Sequence, residues 1–221
     1  MPVVRLTSLA VLLAAAGAAP AAWAAAAPLC TATPPPESAA YVAHITEVNY
    51  GKLGIPRDYA AEHHLHIQPL ARDLVRIPND VYGRKQYMVA PAAAALKRMF
   101  AAAAHNGIKL EPVSAYRSIA YQTHLVQAKL NRHMTILQAL KINAVPGYSE
   151  HQTGCAIDLT TPGYPGAETS FDKSKAFAWL KLNAATYGFH MPYPPGNGQG
   201  YEYEPWHWRY IAGSAPAPTA R

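Results

Sequence analysis

Apolar residues recur along this chain with two different periods, and the two periods predict a mixture of helices and strands. Within residues 91–106, Leu96, Met99 and Phe100 share one face of a 3.6-residue repeat. Pro91 suits the first helical turn, the alanines favour the helical state, and Gly107 stops it. Ser118 can cap a second helix over residues 119–130. A third covers 134–142 and is broken by Pro146-Gly147, and a fourth covers 171–187, amphipathic through Phe177, Leu180 and Ala184, with Gly188 as its stop. Strand signals appear at 108–115, where Pro112 is tolerated only at an edge or a bend, and at 155–159 and 206–211. Between Tyr41 and Met88 the pattern is irregular and punctuated by turn signals, which predicts short strands and loops wrapping the domain. Residues 192–200 (PYPPGNGQG) read as a loop, and no internal repeat is present.

The first 25 residues stand apart. A short positive start ending at Arg5, an apolar alanine-rich run and the Ala22-Trp23-Ala24 cleavage signal make a secretory signal peptide. Leu29 before Cys30 fits a lipoprotein site poorly, so no lipid anchor is expected. Residues 26–40, with three consecutive prolines, read as an extended linker, 41–213 as one domain and 214–221 as a frayed tail. A soluble, exported, monomeric protein follows, with no stable membrane insertion after signal cleavage. The formal net charge is +6 and falls by one when Arg5 leaves. A mildly basic exported protein suits an anionic envelope polymer, whereas the lack of a dense Lys/Arg cluster argues against nucleic acid. Export permits a disulfide between Cys30 and Cys155. With Cys155 facing a core and Cys30 beside a proline-rich leader, separate cysteines are the favoured reading.

Candidate chemistry centres on SEHQTGCAID, residues 149–158, where His151 and Asp158 lie seven positions apart. Gly154 allows a sharp turn after His151. On the following strand Cys155, Ile157 and Leu159 point to the core, while Ala156 and Asp158 share the other face. An imidazole and a carboxylate aimed at one point are two of the three protein ligands that a catalytic zinc usually has; a plain His–Asp hydrogen bond is the alternative. In EPWHWRY, Trp206, Trp208 and Tyr210 share one face of the last strand, and His207 and Arg209 the other. His207 would complete a two-histidine, one-carboxylate site with a position left for water, whose pKa the metal would lower to about 7. Glu204, at the strand's entry, can act as base toward that water; a solvated glutamate beside a core histidine is the alternative. In SAYRSIAYQ, residues 114–122, Arg117 sits beside a helix N-terminus, where it either grips a substrate carboxylate or forms a structural ion pair. His63, His64 and His66 cluster without complementary ligands and read as an exposed polar loop. There is no G-x-S-x-G elbow of a serine hydrolase and no H-E-x-x-H helix.

The order SAYRS…Q, SEHQTGCAID, WLKLNAATYGF, EPWHWRY resembles the VanY-type zinc D-alanyl-D-alanine carboxypeptidases over roughly residues 41–213. Their superfamily also holds L,D-carboxypeptidases, endolysin peptidases and the hedgehog signalling domain. The resemblance implies an α+β fold, a single compact domain whose antiparallel sheet, flanked by helices, holds one zinc ion in a cleft. It implies zinc ligands His151, Asp158 and His207, the base Glu204, and Arg117 as the group that stabilises the oxyanion or holds the terminal carboxylate. Tyr116, Ser118, Gln122 and Ser149 match positions that line the substrate cleft. The implied activity is attack of zinc-bound water on the D-Ala-D-Ala terminus of a peptidoglycan stem peptide. An L,D-carboxypeptidase, an endopeptidase or a non-catalytic zinc-stabilised wall-binding domain are the alternatives. One departure is the run His190-Met191-Pro192-Tyr193-Pro194, where the family often has an arginine or lysine before Tyr-Pro.

Overall fold

The computed structural model describes residues 30–31 and 38–215; the expected signal peptide lies outside them. In chain order the elements are helix α1 (Ala39–Thr46), which runs into a π-helical turn (Glu47–Lys52), α2 (Tyr59–Glu62), strands β1 (Leu74–Ile77) and β2 (Gln86–Val89), and α3 (Ala90–His105). There follow β3 (Glu111–Ser114), α4 (Ile119–Leu130), α5 (Ile136–Ile142), a 3-10 turn (Glu150–Thr153), β4 (Ala156–Thr160), α6 (Lys175–Asn183), β5 (Phe189–His190) and β6 (His207–Tyr210). Two antiparallel sheets result: the β1–β2 hairpin, and a four-stranded sheet in the order β3-β4-β6-β5. The expected α+β class, antiparallel sheet and flanking helices are all present.

The sheet's placement explains what it can carry. β4 lies between β3 and β6, so all five of its residues are buried. Ile157 and Leu159 enter the main core with Leu96, Met99, Phe177, Leu180 and Trp208, while Ala156 and Asp158 face the other way. Pro112 satisfies both conditions set for it, since β3 is an edge strand and its register shifts between Pro112 and Ser114. Ser118 caps α4, its Oγ accepting from Tyr121 N at 3.1 Å, and α4 runs over Ile119–Leu130 as the pattern predicts. A smaller core of Val48, Leu53, Tyr59, Val126 and Leu140 fixes α4 and α5 against the N-terminal helices.

Four expectations need correction. The start of the 41–88 region is helical, because Tyr41, Ile45 and Val48 recur at helical spacing and are buried together with later elements. Helix α1 begins at Ala39, capped by Ser38 Oγ, so the expected linker ends in a helix. The single helix over 171–187 is three pieces, since Ser174 caps a new start by accepting from Phe177 N at 3.0 Å. Cys30 and Cys155 are disulfide-bonded. The core side of β4 is where Cys30 itself is buried, at 2 % exposure, so facing the core brought the two sulfurs together.

Candidate metal centre

His151, Asp158 and His207 converge: one ligand atom from each lies within 4.8 Å of the others, and all three residues are buried. Local backbone accounts for each position. His151 sits on the 3-10 turn that Gly154 ends at φ 67°, and a Cβ at Gly154 would meet Leu74 Cδ2 at 2.9 Å. Only glycine suits that turn, on conformation and on space. Asp158 and His207 are direct partners across the antiparallel β4–β6 pair, so the ladder brings their side chains to one face.

Hydrogen bonds fix which nitrogen of each imidazole points inward. His151 Nδ1 donates to the Ala115 carbonyl at 2.6 Å, so Nε2 is the bare nitrogen in the neutral ring. Burial and the Arg117 charge hold His151 at a pKa of about 4, which keeps the ring neutral. Its Nε2 then faces Asp158 Oδ1 at 3.2 Å, two lone pairs with no proton between them. Asp158 itself stays ionised, its pKa well below normal: burial pushes it up, but the Arg117 charge and the hydrogen bond from His207 outweigh that. Such an opposition of acceptors is favourable with a cation between them. Oδ1 is also 3.0 Å from His207 Nδ1. Tetrahedral ligands about 2.0 Å from a zinc ion would stand about 3.3 Å apart, so the two separations from Asp158 Oδ1 and the donor set fit zinc.

The far side of His207 is held as firmly. Its Nε2 lies 2.9 Å from Glu150 Oε2, and Arg209 Nη1 donates to Glu150 Oε1 at 2.6 Å. Burial lowers the His207 pKa, but hydrogen bonds to Asp158 and Glu150 overcome it and push the value up to about 10. Glu150 is lowered against its own burial, by His207 and Arg209. The field at His207 Nδ1 favours a positive charge, which a proton supplies in the free protein and a metal ion can supply in its place. The ligand–imidazole–carboxylate arrangement is the one that orients metal-binding histidines generally.

Two further groups face this point. Glu204 Oε2 stands 3.9 Å from His207 Nδ1, brought over it by a turn in which His207 N donates to Glu204 O. Burial raises its pKa to about 7. Arg117 donates from Nη2 to Asp158 Oδ2 at 2.5 Å and from Nε to Ser114 Oγ at 2.8 Å, with 18 % of its side chain exposed on the cleft wall. The structural ion pair that the sequence left open is therefore present, alongside an accessible edge.

The cleft above these groups has a volume of about 540 Å³ and is walled by Tyr193, Tyr201, Trp206, Leu125, Lys129 and Asn143. Ser149 lines it; Tyr116, Ser118 and Gln122 are not among its lining residues. Gln122 is fully buried, donating from Nε2 to the Ala144 carbonyl, and Ser118 serves as the cap of α4. Sequence patterning does not single out Glu150, and it sets Arg209 on the cleft face without naming a partner. The signal was available in part: Arg209 is two residues from His207 on one strand face, and Glu150 adjoins His151. The triplet His63, His64 and His66 is not part of this ligand cluster: His63 packs its ring on Tyr59, 4.3 Å between centroids, and His64 and His66 line a neighbouring pocket with Glu150 and Arg209.

Comparison with known proteins covers the stretch of chain that holds these residues. The family model described as VanY, D-alanyl-D-alanine carboxypeptidase, matches residues 85–213. The chain is 37% identical over 140 residues to YodJ of Bacillus subtilis, covering 60% of this chain and 49% of that protein, so it spans about half of that relative's length. Among solved structures it is similar to the LdcB LD-carboxypeptidase, with a TM-score of 0.59 and 33% identity over 66% of this chain and 74% of that one. It is also similar to a vancomycin-resistance D,D-pentapeptidase VanY solved with Zn(II), with a TM-score of 0.52 and 27% identity over 67% and 85% of the two chains.

Proposed function

Because the chain belongs to the VanY D-alanyl-D-alanine carboxypeptidase family, we propose that it is an exported zinc peptidase that trims the terminal D-alanine from peptidoglycan stem peptides. The observation that carries this reading is the meeting of His151, Asp158 and His207 at one buried point, with Glu204 beside it and Arg117 on the wall. His151 Nε2, Asp158 Oδ1 and His207 Nδ1 would hold the ion. Zinc bound there supplies Lewis acidity toward the scissile carbonyl and the attacking water.

The remaining work falls to the chain itself. Glu204 takes a proton from the attacking water and returns it to the departing amine as the new C–O bond replaces the C–N bond. Its raised pKa of about 7 suits both halves of that exchange at neutral pH. The partly exposed Arg117 guanidinium donates to the carbonyl oxygen as negative charge develops there. Ala115 O and Glu150 keep the two imidazoles from turning away. Ser149 contacts the peptide, whereas Ser118 caps α4 and Gln122 holds the Ala144 carbonyl behind Arg117. No covalent intermediate is needed.

Release of the last residue of a tetrapeptide is the second reading, favoured by the likeness to the LdcB LD-carboxypeptidase. Incubation of the zinc-loaded protein with pentapeptide, tetrapeptide and cross-linked stem fragments, read by product mass, decides between them. Loss of one D-alanine from the pentapeptide supports the primary reading. Cleavage of the tetrapeptide or cross-link alone replaces it with the second reading or with an endopeptidase. Binding of every fragment without turnover rejects catalysis and leaves a wall-binding domain.

A further inference from the structure

The disulfide lies on the same line of contacts as the metal centre, and nothing in the peptidase chemistry calls for it. Cys30 is joined to Cys155, the residue directly before β4, and the Cys30 carbonyl accepts from Ala212 N at 2.7 Å just beyond β6. This pins the backbone of residues 30–31 beside both strands that carry the candidate ligands. The next carbonyl, that of Thr31, accepts from Arg209 Nη2 at 3.0 Å. Arg209 Nη1 in turn donates to Glu150 Oε1, and Glu150 Oε2 lies against His207 Nε2. Arg209 Nε is buried without a partner among the described residues. Apart from the bond to Glu150, the hydrogen bond that fixes this guanidinium among the described residues is therefore the one to Thr31 O.

We infer that the Cys30–Cys155 bond positions the metal centre through Thr31 O, Arg209 and Glu150, so that an intact disulfide sets the orientation of the His207 ring. This inference rests on the metal-site reading above. Arg209 and Glu150 are positioning residues in it, not catalytic ones: neither has to touch substrate. The physical reason is an unequal one. A buried arginine held at both ends presents its carboxylate partner in one place, and a carboxylate so held presents one imidazole rotamer. Release of residues 30–31 leaves Arg209 tied to Glu150 alone, and the pair can then turn together. Because the strap depends on an oxidised sulfur pair, the centre would be complete only in an oxidising compartment.

The test compares four proteins: the oxidised protein, the Cys30→Ala/Cys155→Ala variant, Arg209→Met, and the triple variant. Zinc affinity is measured by chelator competition. In the metal-free proteins, NMR follows the exchange protection of the His207 Nε2–H. Loss of the disulfide and loss of Arg209 should each weaken zinc binding about 10-fold or more, the scale of an outer-layer partner. Each should also expose the His207 proton to exchange. The triple variant should be no worse than Arg209→Met, since both changes cut one line of contacts.

Multiplying effects in the triple variant, or unchanged zinc affinity and exchange protection after disulfide loss, would overturn the inference and make the bond a global staple only. Arg209→Met provides a cut that keeps the disulfide, so poor folding of the cysteine variant leaves a decisive measurement: full zinc affinity and intact His207 protection there reject the relay. If the oxidised wild type takes up no zinc at all, the metal reading itself fails, which is a different outcome from zinc bound with indifference to the strap.

Discussion

Asp158 and His207 are register partners on adjacent antiparallel strands, and one carboxylate oxygen of the first lies 3.0 Å from Nδ1 of the second. The same oxygen lies 3.2 Å from Nε2 of His151, so one atom touches both imidazoles. Replacing Asp158 by Ala should therefore remove the anionic member of the set. We expect zinc content to fall from about one ion per chain to near none, and affinity to drop by more than the roughly 100-fold limit of an outer-layer change. Elemental analysis after dialysis checks it, and retention of stoichiometric zinc would show that the ligands are misassigned.

Glu204 should be separable from metal binding. Glu204→Gln is expected to keep about one zinc and to lose at least about 100-fold in kcat, the scale of a missing general base. A variant that turned over normally would remove Glu204 from the mechanism.

The pH dependence follows from the same side chain. Burial raises the Glu204 pKa to about 7, and a base must be ionised to accept a proton. Activity as kcat/KM should therefore climb with pH below about 7 and level off above it, falling about tenfold per unit on the acid side. In Glu204→Gln the residual rate should lack that limb. A wild-type profile flat from pH 5 to 8 would contradict the assignment.

His207 makes a prediction about the metal-free protein. Its folded pKa of about 10 is above the ordinary 6.5, so its protonation stabilises the fold fully below pH 6.5, and that contribution is lost as pH rises through about 10. The urea midpoint of the chelated protein should decline over this window, with a shallower decline in His207→Asn. Zinc uptake near pH 7.5 should release close to one proton, measurable by calorimetry in buffers of different ionisation enthalpy. No proton release would mean that His207 does not exchange its proton for the ion.

Arg117 is bound to Asp158 and also borders the cleft. Arg117→Ala should lower kcat by about 100-fold to 1,000-fold, as for other lost oxyanion donors, with KM changing less. A pure KM effect would make it a carboxylate clamp instead.

The periodic segments were legible without coordinates. Leu96 and Met99 announced α3, Ser118 announced the start of α4, and alternation along EPWHWRY put His207 opposite Trp208. Gly154, by its missing side chain, announced the turn after His151. Local rules reach this far because helix caps, strand alternation and tight turns depend on neighbours a few residues away. The N-terminal helices stayed hidden, since the burial that stabilises Tyr41, Ile45 and Val48 comes from residues far along the chain.

The chain's own order of residues, then, determined which imidazoles and carboxylates could serve and which strand faces they occupy. Tertiary structure alone decided that Glu150 and Arg209 stand behind His207, that Arg117 rests on Asp158, and that Cys30 reaches Cys155 across a separation of 125 residues. Each of those contacts joins segments whose spacing in sequence carries no periodic signal. Their geometry comes from how the sheet and its flanking helices pack, and with it the tautomers, charges and pKa values on which the chemistry depends.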